Sequence, residues 1–148
     1  MHNQVIILFY ALLVLSVVTA FWKGGAPERT GAAIVVATLA LELVGLRIEP
    51  PHLHSVDPVA VIIDALATLS FGALALHARR AWPIWATALQ ILSLTSHFAE
   101  GIQPTHPGIY ITMKGGPTLA VLAVLLLGTI FHLRRLRRCG SDPAWTKW

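Results

Sequence analysis

The chain has 148 residues, of which 55% are hydrophobic and only 12% are charged, and its mean hydropathy is +0.68. Apolar runs of about 20 residues are typical of membrane-spanning helices, and a soluble domain of this length cannot bury so many of them. The composition excludes an ordinary soluble protein, and a single cysteine, Cys139, excludes an internal disulfide and a cysteine-based zinc or iron–sulfur site.

Five apolar segments predict an all-α integral membrane bundle that forms a single transmembrane domain over residues 1–148. We expect spans at residues 4–22, 30–47, 57–77, 81–100 and 117–133. An alternative fifth helix starts near residue 109 and is broken at Gly115-Gly116-Pro117. Thr30 and Asp57 are the expected N-caps of the second and third helices, with Pro58 in the first turn of the third. Residues 134–148 form a basic tail.

The distribution of positive charge predicts the orientation. With five spans, one side of the membrane carries nine of the eleven lysines and arginines: Lys23, Arg29, Arg79, Arg80, Arg134, Arg135, Arg137, Arg138 and Lys147. The positive-inside rule then places the C-terminus in the cytoplasm and the N-terminus outside, in the inner membrane of a bacterium. Orientation accounts for the basic tail, so we expect anionic lipid rather than nucleic acid as its partner.

Aromatic and basic side chains at this cytoplasmic side are expected to anchor the protein to lipid or to a partner. Interfacial tryptophans and arginines commonly have this role. The expected anchors are Trp22, Trp82, Trp85, Arg134, Arg135, Arg137, Arg138, Trp145 and Trp148.

A polar stripe along the fourth span is the strongest sign of a site. Gln90, Ser93, His97 and Glu100 are spaced by three, four and three residues, which places them on one face of a helix. Because unpaired polar groups are costly against lipid, the stripe is expected to face other helices. Glu42 and Asp64 lie at a depth similar to that of Gln90 and Ser93, so we predict one intramembrane polar seam.

Two interpretations of this seam remain open. Two neighbouring carboxyls share protons, so Glu42 and Asp64 are candidates for proton or ion handling, or they are hydrogen-bonded contacts between helices. Alternatively, a metal binds near the outer rim, because imidazole and carboxylate are common zinc, copper and iron ligands. Its candidate ligands are His52, His54, Asp57, His97 and Glu100.

A third possibility is a haem held by His77 and His132, which end their spans on the cytoplasmic side beside arginines. We find no motif for a catalytic nucleophile and name no catalytic residue. No resident cofactor is the expected state, and bound lipid is expected.

The leading functional expectation is a non-catalytic accessory or assembly subunit of a larger membrane complex, such as a respiratory or photosynthetic one. It depends on the apolar first span and on the polar, basic tail, which would need other membrane-protein subunits as partners in order to be ordered. The alternative is a small proton-coupled transporter or channel-like protein that uses Glu42 and Asp64. The third is a metal- or haem-binding membrane redox protein.

Overall fold

The computed structural model describes residues 2–48, 57–100 and 107–145, and confirms an all-helical chain. Its five helices are α1 (His2–Lys23), α2 (Ala26–Ile48), α3 (Pro58–His77), α4 (Trp82–Glu100) and α5 (Pro107–Cys139). Each helix packs on the next in the chain where both are described, and α5 returns to pack on α1 and α2. The helices therefore form a closed ring of neighbours.

Short connections place alternate helix ends together. Only Gly24 and Gly25 separate α1 from α2, and residues 78–81 join α3 to α4. Short links of this kind make neighbouring helices antiparallel. We call the end formed by these two links and the residues after Cys139 the basic end, and the opposite end, where α3 begins, the Asp57 end.

The predicted N-cap is correct for α3 and wrong for α2. Asp57 is the N-cap of α3, accepting hydrogen bonds from the backbone N–H groups of Val59 and Ala60, with Pro58 in the first turn as predicted. The prediction of Thr30 as the N-cap of α2 is wrong. The helix begins four residues earlier, and the Thr30 hydroxyl donates instead to the Ala26 carbonyl within it.

Helix α5 is longer and more continuous than expected. It runs unbroken from Pro107 to Cys139, over 33 residues, with Pro117 inside it. Neither the start at residue 117 nor the break at Gly115-Gly116-Pro117 is correct. Proline inside a helix removes one hydrogen bond, and a membrane helix tolerates this where its neighbours compensate.

Four of the helices are long and apolar enough to cross a membrane: Ile6–Lys23, Ala26–Arg47, Pro58–His77 and Gly115–Cys139. Helix α4 is not among them, because polar side chains lower its hydropathy. Its polar face is nonetheless turned inward, since Gln90, Ser93 and His97 are buried, while Leu92 and Phe98 are more than half exposed. An apolar outside and a polar inside are the opposite of a soluble helix and suit a helix surrounded by lipid.

Candidate functional site

The seam is organised around the carboxyl of Asp64 on α3. Ser93 Oγ donates to Asp64 Oδ2 at 2.9 Å, and His97 Nε2 lies 2.9 Å from the same oxygen. All three residues are buried, with exposed fractions of 8% or less. Because a carboxylate only accepts hydrogen bonds, His97 donates through Nε2 when Asp64 is ionised. The one-face spacing of the stripe thus brings two donors of α4 to one acceptor of α3.

The same three residues line a cavity of about 310 Å³. Its wall comes from all five helices, and Glu42 of α2 and the N-cap residue Asp57 also line it. Asp57 precedes Asp64 by seven residues, or about 10 Å along a helix, so the cavity extends inward from the Asp57 end. The remaining wall is mostly apolar and includes Phe9 and Ile63. Glu42 and Asp64, predicted at similar depth, therefore face one shared space.

A second and smaller cavity, of about 40 Å³, continues the first. Phe9, Glu42, Asp64 and Thr118 line both spaces, and the smaller one also reaches Gln90. Beyond it the wall is apolar, ending at Val121 and Leu122, which are almost fully buried. The polar seam thus ends near the middle of the bundle rather than crossing it.

This geometry suits proton binding and the binding of a small polar or charged solute. Both hydrogen bonds to Asp64 end on Oδ2, which leaves Oδ1 without a donor among the described residues. Asp64 lines the cavity, so its carboxyl can take up or release a proton there. An ionisable group inside a membrane bundle is a functional-site hypothesis by default.

The candidate metal ligands are only partly covered by the structure. His52 and His54, and the side chain of Glu100, lie outside the described residues. Asp57 and His97 line the same cavity, although the Asp57 carboxylate also caps α3. Among the residues that the structure describes, no three histidines, cysteines or carboxylates form a cluster suited to a metal. The metal site therefore stays a prediction.

A second polar cluster, which the sequence did not indicate, lies at the basic end. Glu28 of α2 is fully buried, and its Oε1 accepts from Arg80 Nε at 3.3 Å and from Trp82 Nε1 at 3.1 Å. Its Oε2 is buried and has no hydrogen-bond partner within the described part of the chain. Glu28 and Arg80 are 52 residues apart, so only the folded bundle brings them together.

Arg80 also holds the tail. Its Nη1 donates to Asp142 Oδ1 at 2.9 Å, and its Nη2 lies 2.8 Å from Oδ2, which makes a two-pronged contact. His132 Nδ1 lies 2.6 Å from Asp142 Oδ2, and Arg135 Nε donates at 3.1 Å to Oδ1. We call Glu28, Arg80, His132, Arg135 and Asp142 the latch.

Backbone pairing reinforces the latch. The Arg79 N–H donates to the Ala144 carbonyl at 3.1 Å, and Ala78 and Trp145 form an isolated antiparallel bridge. Up to Trp145, the tail is therefore held by contacts with its own chain. The order of the tail does not require a partner protein.

The charge state of Asp142 follows from its surroundings. Burial acts to raise the pKa of this carboxyl, but hydrogen bonds from His132 and Arg135 and the charges of Arg80 and Arg135 outweigh burial. The pKa of Asp142 therefore lies below its ordinary value, and the carboxylate is ionised at neutral pH.

The two candidate haem ligands have other contacts. His77 is exposed, and its Nδ1 lies 2.8 Å from the Ala73 carbonyl of its own helix. His132 is buried against Asp142, and a Cβ added at Gly25 would lie 2.9 and 3.2 Å from its Cε1 and Nε2. His77 thus has one ring nitrogen bonded within its own helix, whereas His132 is enclosed by the bundle, and the haem stays a prediction.

Some of the predicted surface anchors are exposed, and others are buried. Trp22 and Trp85 are 78% and 66% exposed, as an interfacial anchor requires, and Trp145 is also exposed. Trp82 is a correction: it is buried, because its ring fills the space between α2 and α5 and its N–H bonds to Glu28. Arg135 is partly buried at the latch, and the other tail arginines, Arg134, Arg137 and Arg138, are exposed. Trp148 lies outside the described residues.

Comparison with known proteins places the chain in no group: no family model, curated protein or solved structure matches it.

Proposed function

We propose that this protein is a small proton-coupled transporter or channel-like protein in which Asp64 is the coupling carboxyl. The observation that carries the proposal is the buried carboxyl of Asp64, whose Oδ2 contacts both Ser93 and His97. The same residue lines a cavity together with Glu42. The 310 Å³ space beside Asp64 makes this buried carboxyl accessible to water or solute. A proton-exchanging carboxyl does need access to water or solute.

The groups that face this carboxyl come from every neighbouring element. Glu42, Asp57 and His97 are the titratable ones among the described residues, and Ser93, Gln90 and Thr118 are neutral. When Asp64 is protonated, its O–H can donate to a solute or to Glu42, and when it is ionised it attracts a cation. Loading and unloading a proton therefore changes what the cavity binds.

The membrane arrangement that we propose has five spans, with α4 as the fourth. Support comes from the apolar outer face of α4 and from its packing between α3 and α5. The basic end carries Lys23, Arg29, Arg79, Arg80 and the tail arginines, and we propose that it lies in the cytoplasm of a bacterial cell. The cavity then opens toward the outside. Cysteine labelling of Ser141→Cys in a Cys139→Ser background, in intact cells, tests this orientation. Labelling by a membrane-impermeant reagent contradicts it.

The accessory-subunit proposal has less support. The ordered tail was one of its two reasons, and the latch accounts for the tail. The other reason was the apolar helix α1, whose Ile7, Leu8 and Val14 are exposed. Lipid is sufficient to cover such an apolar face, so the face does not require a partner subunit.

Proton flux into liposomes tests the proposed function. The purified chain is reconstituted with a pH-sensitive dye inside, and a pH gradient is imposed with the membrane potential clamped by potassium and an ionophore. We expect flux above that of empty liposomes, and a loss of at least tenfold in Asp64→Asn, because an amide cannot exchange the proton.

Ser96→Ala is the matched control. Ser96 is buried on the same helix as Ser93, but its hydroxyl donates to the Ser93 carbonyl and not to Asp64. We expect Ser96→Ala to retain wild-type flux. Equal flux through Asp64→Asn and the wild type, with both variants reconstituted to the same level, contradicts the proposal.

A further inference from the structure

We infer that the solute of this cavity is a small organic cation, an alkylammonium, whose charged group lies between Asp64 and the Phe9 ring and whose apolar body lies against Ile63. This inference deepens the proposed function and rests on it. It follows from the size, the charge and the apolar wall of the cavity.

The size of the cavity indicates a small molecule. Its 310 Å³ lies at the lower end of the range of about 300–1,000 Å³ found for ligand sites. The distance from Asp57 to Asp64, about 10 Å along the helix, gives the depth to be filled. A short alkyl chain with one polar head matches this depth better than a bare ion does.

The charge of the wall selects the sign of the solute. Asp57 and Asp64 place carboxyl groups at the outer and the inner part of the cavity wall. Asp64 at the inner end is buried, whereas Asp57 is only partly buried, so Asp64 attracts a cation with less screening by solvent. An anionic solute would meet repulsion there.

The rest of the wall argues for an organic cation rather than a metal ion. Phe9, Leu46, Val59 and Ile63 are apolar and line the same space. An ammonium group next to an aromatic ring gains cation–π attraction, and an alkyl chain gains burial. A metal ion gains nothing from these apolar side chains, because it is held by oxygen, nitrogen or sulfur ligands.

Binding of such a cation is coupled to a proton. A protonated Asp64 plus an alkylammonium ion gives an ionised Asp64 paired with that ion plus one released proton, so charge and atoms balance. Among the described residues, the titratable groups that share the cavity with Asp64 are Glu42, Asp57 and His97. Because one proton is released for each cation bound, a fall of one pH unit makes the apparent dissociation constant about tenfold weaker wherever this release is complete.

Calorimetry on the full chain in nanodiscs tests this directly. The probes are n-butylammonium, n-butanol as a neutral analogue of the same length, and butyrate as an anion. We expect binding of butylammonium at least tenfold tighter than that of butanol, none of butyrate, and release of a proton into a weakly buffered solution. Phe9→Leu should weaken butylammonium by about three- to thirtyfold and leave butanol unchanged.

Two variants separate the role of Asp64 from its effect on folding. Asp64→Asn should lose both the preference for the cation and its pH dependence. Ser93→Ala keeps the carboxyl but removes one donor, so it should still bind butylammonium with a shifted pH dependence. Ser96→Ala is again the control and should bind as the wild type does.

The outcomes distinguish the two proposals. Equal binding of butylammonium and butanol, or pH-dependent cation binding that survives in Asp64→Asn, overturns the organic cation. If proton flux depends on Asp64 and butylammonium does not bind, only the identity of the solute is wrong. If butylammonium binds with proton release and no flux is found, the binding site stands and the transport function is wrong.

Discussion

Replacing Asp142 by asparagine should release the tail from the bundle. Asp142 accepts from the buried Arg80 through both oxygens, and from His132 and Arg135. Removing one member of a buried ion pair costs about 3–5 kcal/mol where the remaining charge is left alone. Arg80 keeps Glu28 Oε1 at 3.3 Å, and Arg135 is 43% exposed and adds little. We therefore expect about 2–3 kcal/mol less stabilisation of the attached tail.

Hydrogen exchange followed by mass spectrometry measures this loss. The Arg79 N–H, which bonds to the Ala144 carbonyl, exchanges only when the tail opens. A change of 2–3 kcal/mol corresponds to about 30- to 150-fold faster exchange in peptides that cover residues 78–82. Exchange in the middle of α3 should stay the same, because opening of the tail is local.

Ser141→Ala is the matched control, since Ser141 is exposed and adjacent to Asp142. It should leave exchange at Arg79 within about twofold of the wild type, because surface changes away from specific contacts usually have small effects. The reasoning is refuted if Asp142→Asn exchanges at the wild-type rate, for then the ionic contacts do not hold the tail.

The remaining predictions concern pH and packing. Because the pKa of Asp142 is lowered in the folded protein, the stabilisation that this carboxylate gives to the tail is complete above its ordinary pKa of about 3.9 and is lost as the pH falls below that value. Acrylamide quenching of Trp145 should therefore increase at such low pH. The Trp145→Phe protein should show no such change. Gly128→Ala should lower the free energy of unfolding by about 1–3 kcal/mol, because the new Cβ would lie 2.5 Å from Trp82 Cδ1. Gly115→Ala meets nothing within 4 Å and should be neutral or stabilising; equal loss in both variants contradicts the steric account.

The fold was predictable where local patterns determine it. Apolar runs gave the helices, and Asp57-Pro58 gave the start of α3, because capping depends only on neighbouring residues. The continuity of α5 was not predictable in this way, although one of the two alternatives started this helix near residue 109, close to the observed Pro107. The helix contains Gly115, Gly116 and Pro117, which weaken a helix in isolation, and packing in the bundle overrides that preference.

The seam was partly predictable for a similar reason. Helical spacing placed Gln90, Ser93 and His97 on one face, and counting residues placed Asp64 at their depth. The acceptor that they share could not be found from spacing, since it depends on how α3 and α4 pack. Glu28 was missed entirely. In the sequence, Glu28 is an ordinary acidic residue in the first turn of a helix. It is buried because it pairs with Arg80 and Trp82, which lie more than 50 residues later in the chain.

The two ends of the bundle differ in a way that bears on transport. The Asp57 end holds the cavity, whereas the basic end is packed so closely that a Cβ at Gly31 would lie 2.3 Å from the Trp82 ring. Under the proposed transport function, a solute in the cavity leaves through the basic end only if that end opens, and we propose that such opening breaks the latch. In the liposome assay, Asp142→Asn should then increase proton flux rather than reduce it, while Ser141→Ala leaves it unchanged. A decrease in flux through an otherwise folded Asp142→Asn protein means that the latch supports the path instead of closing it.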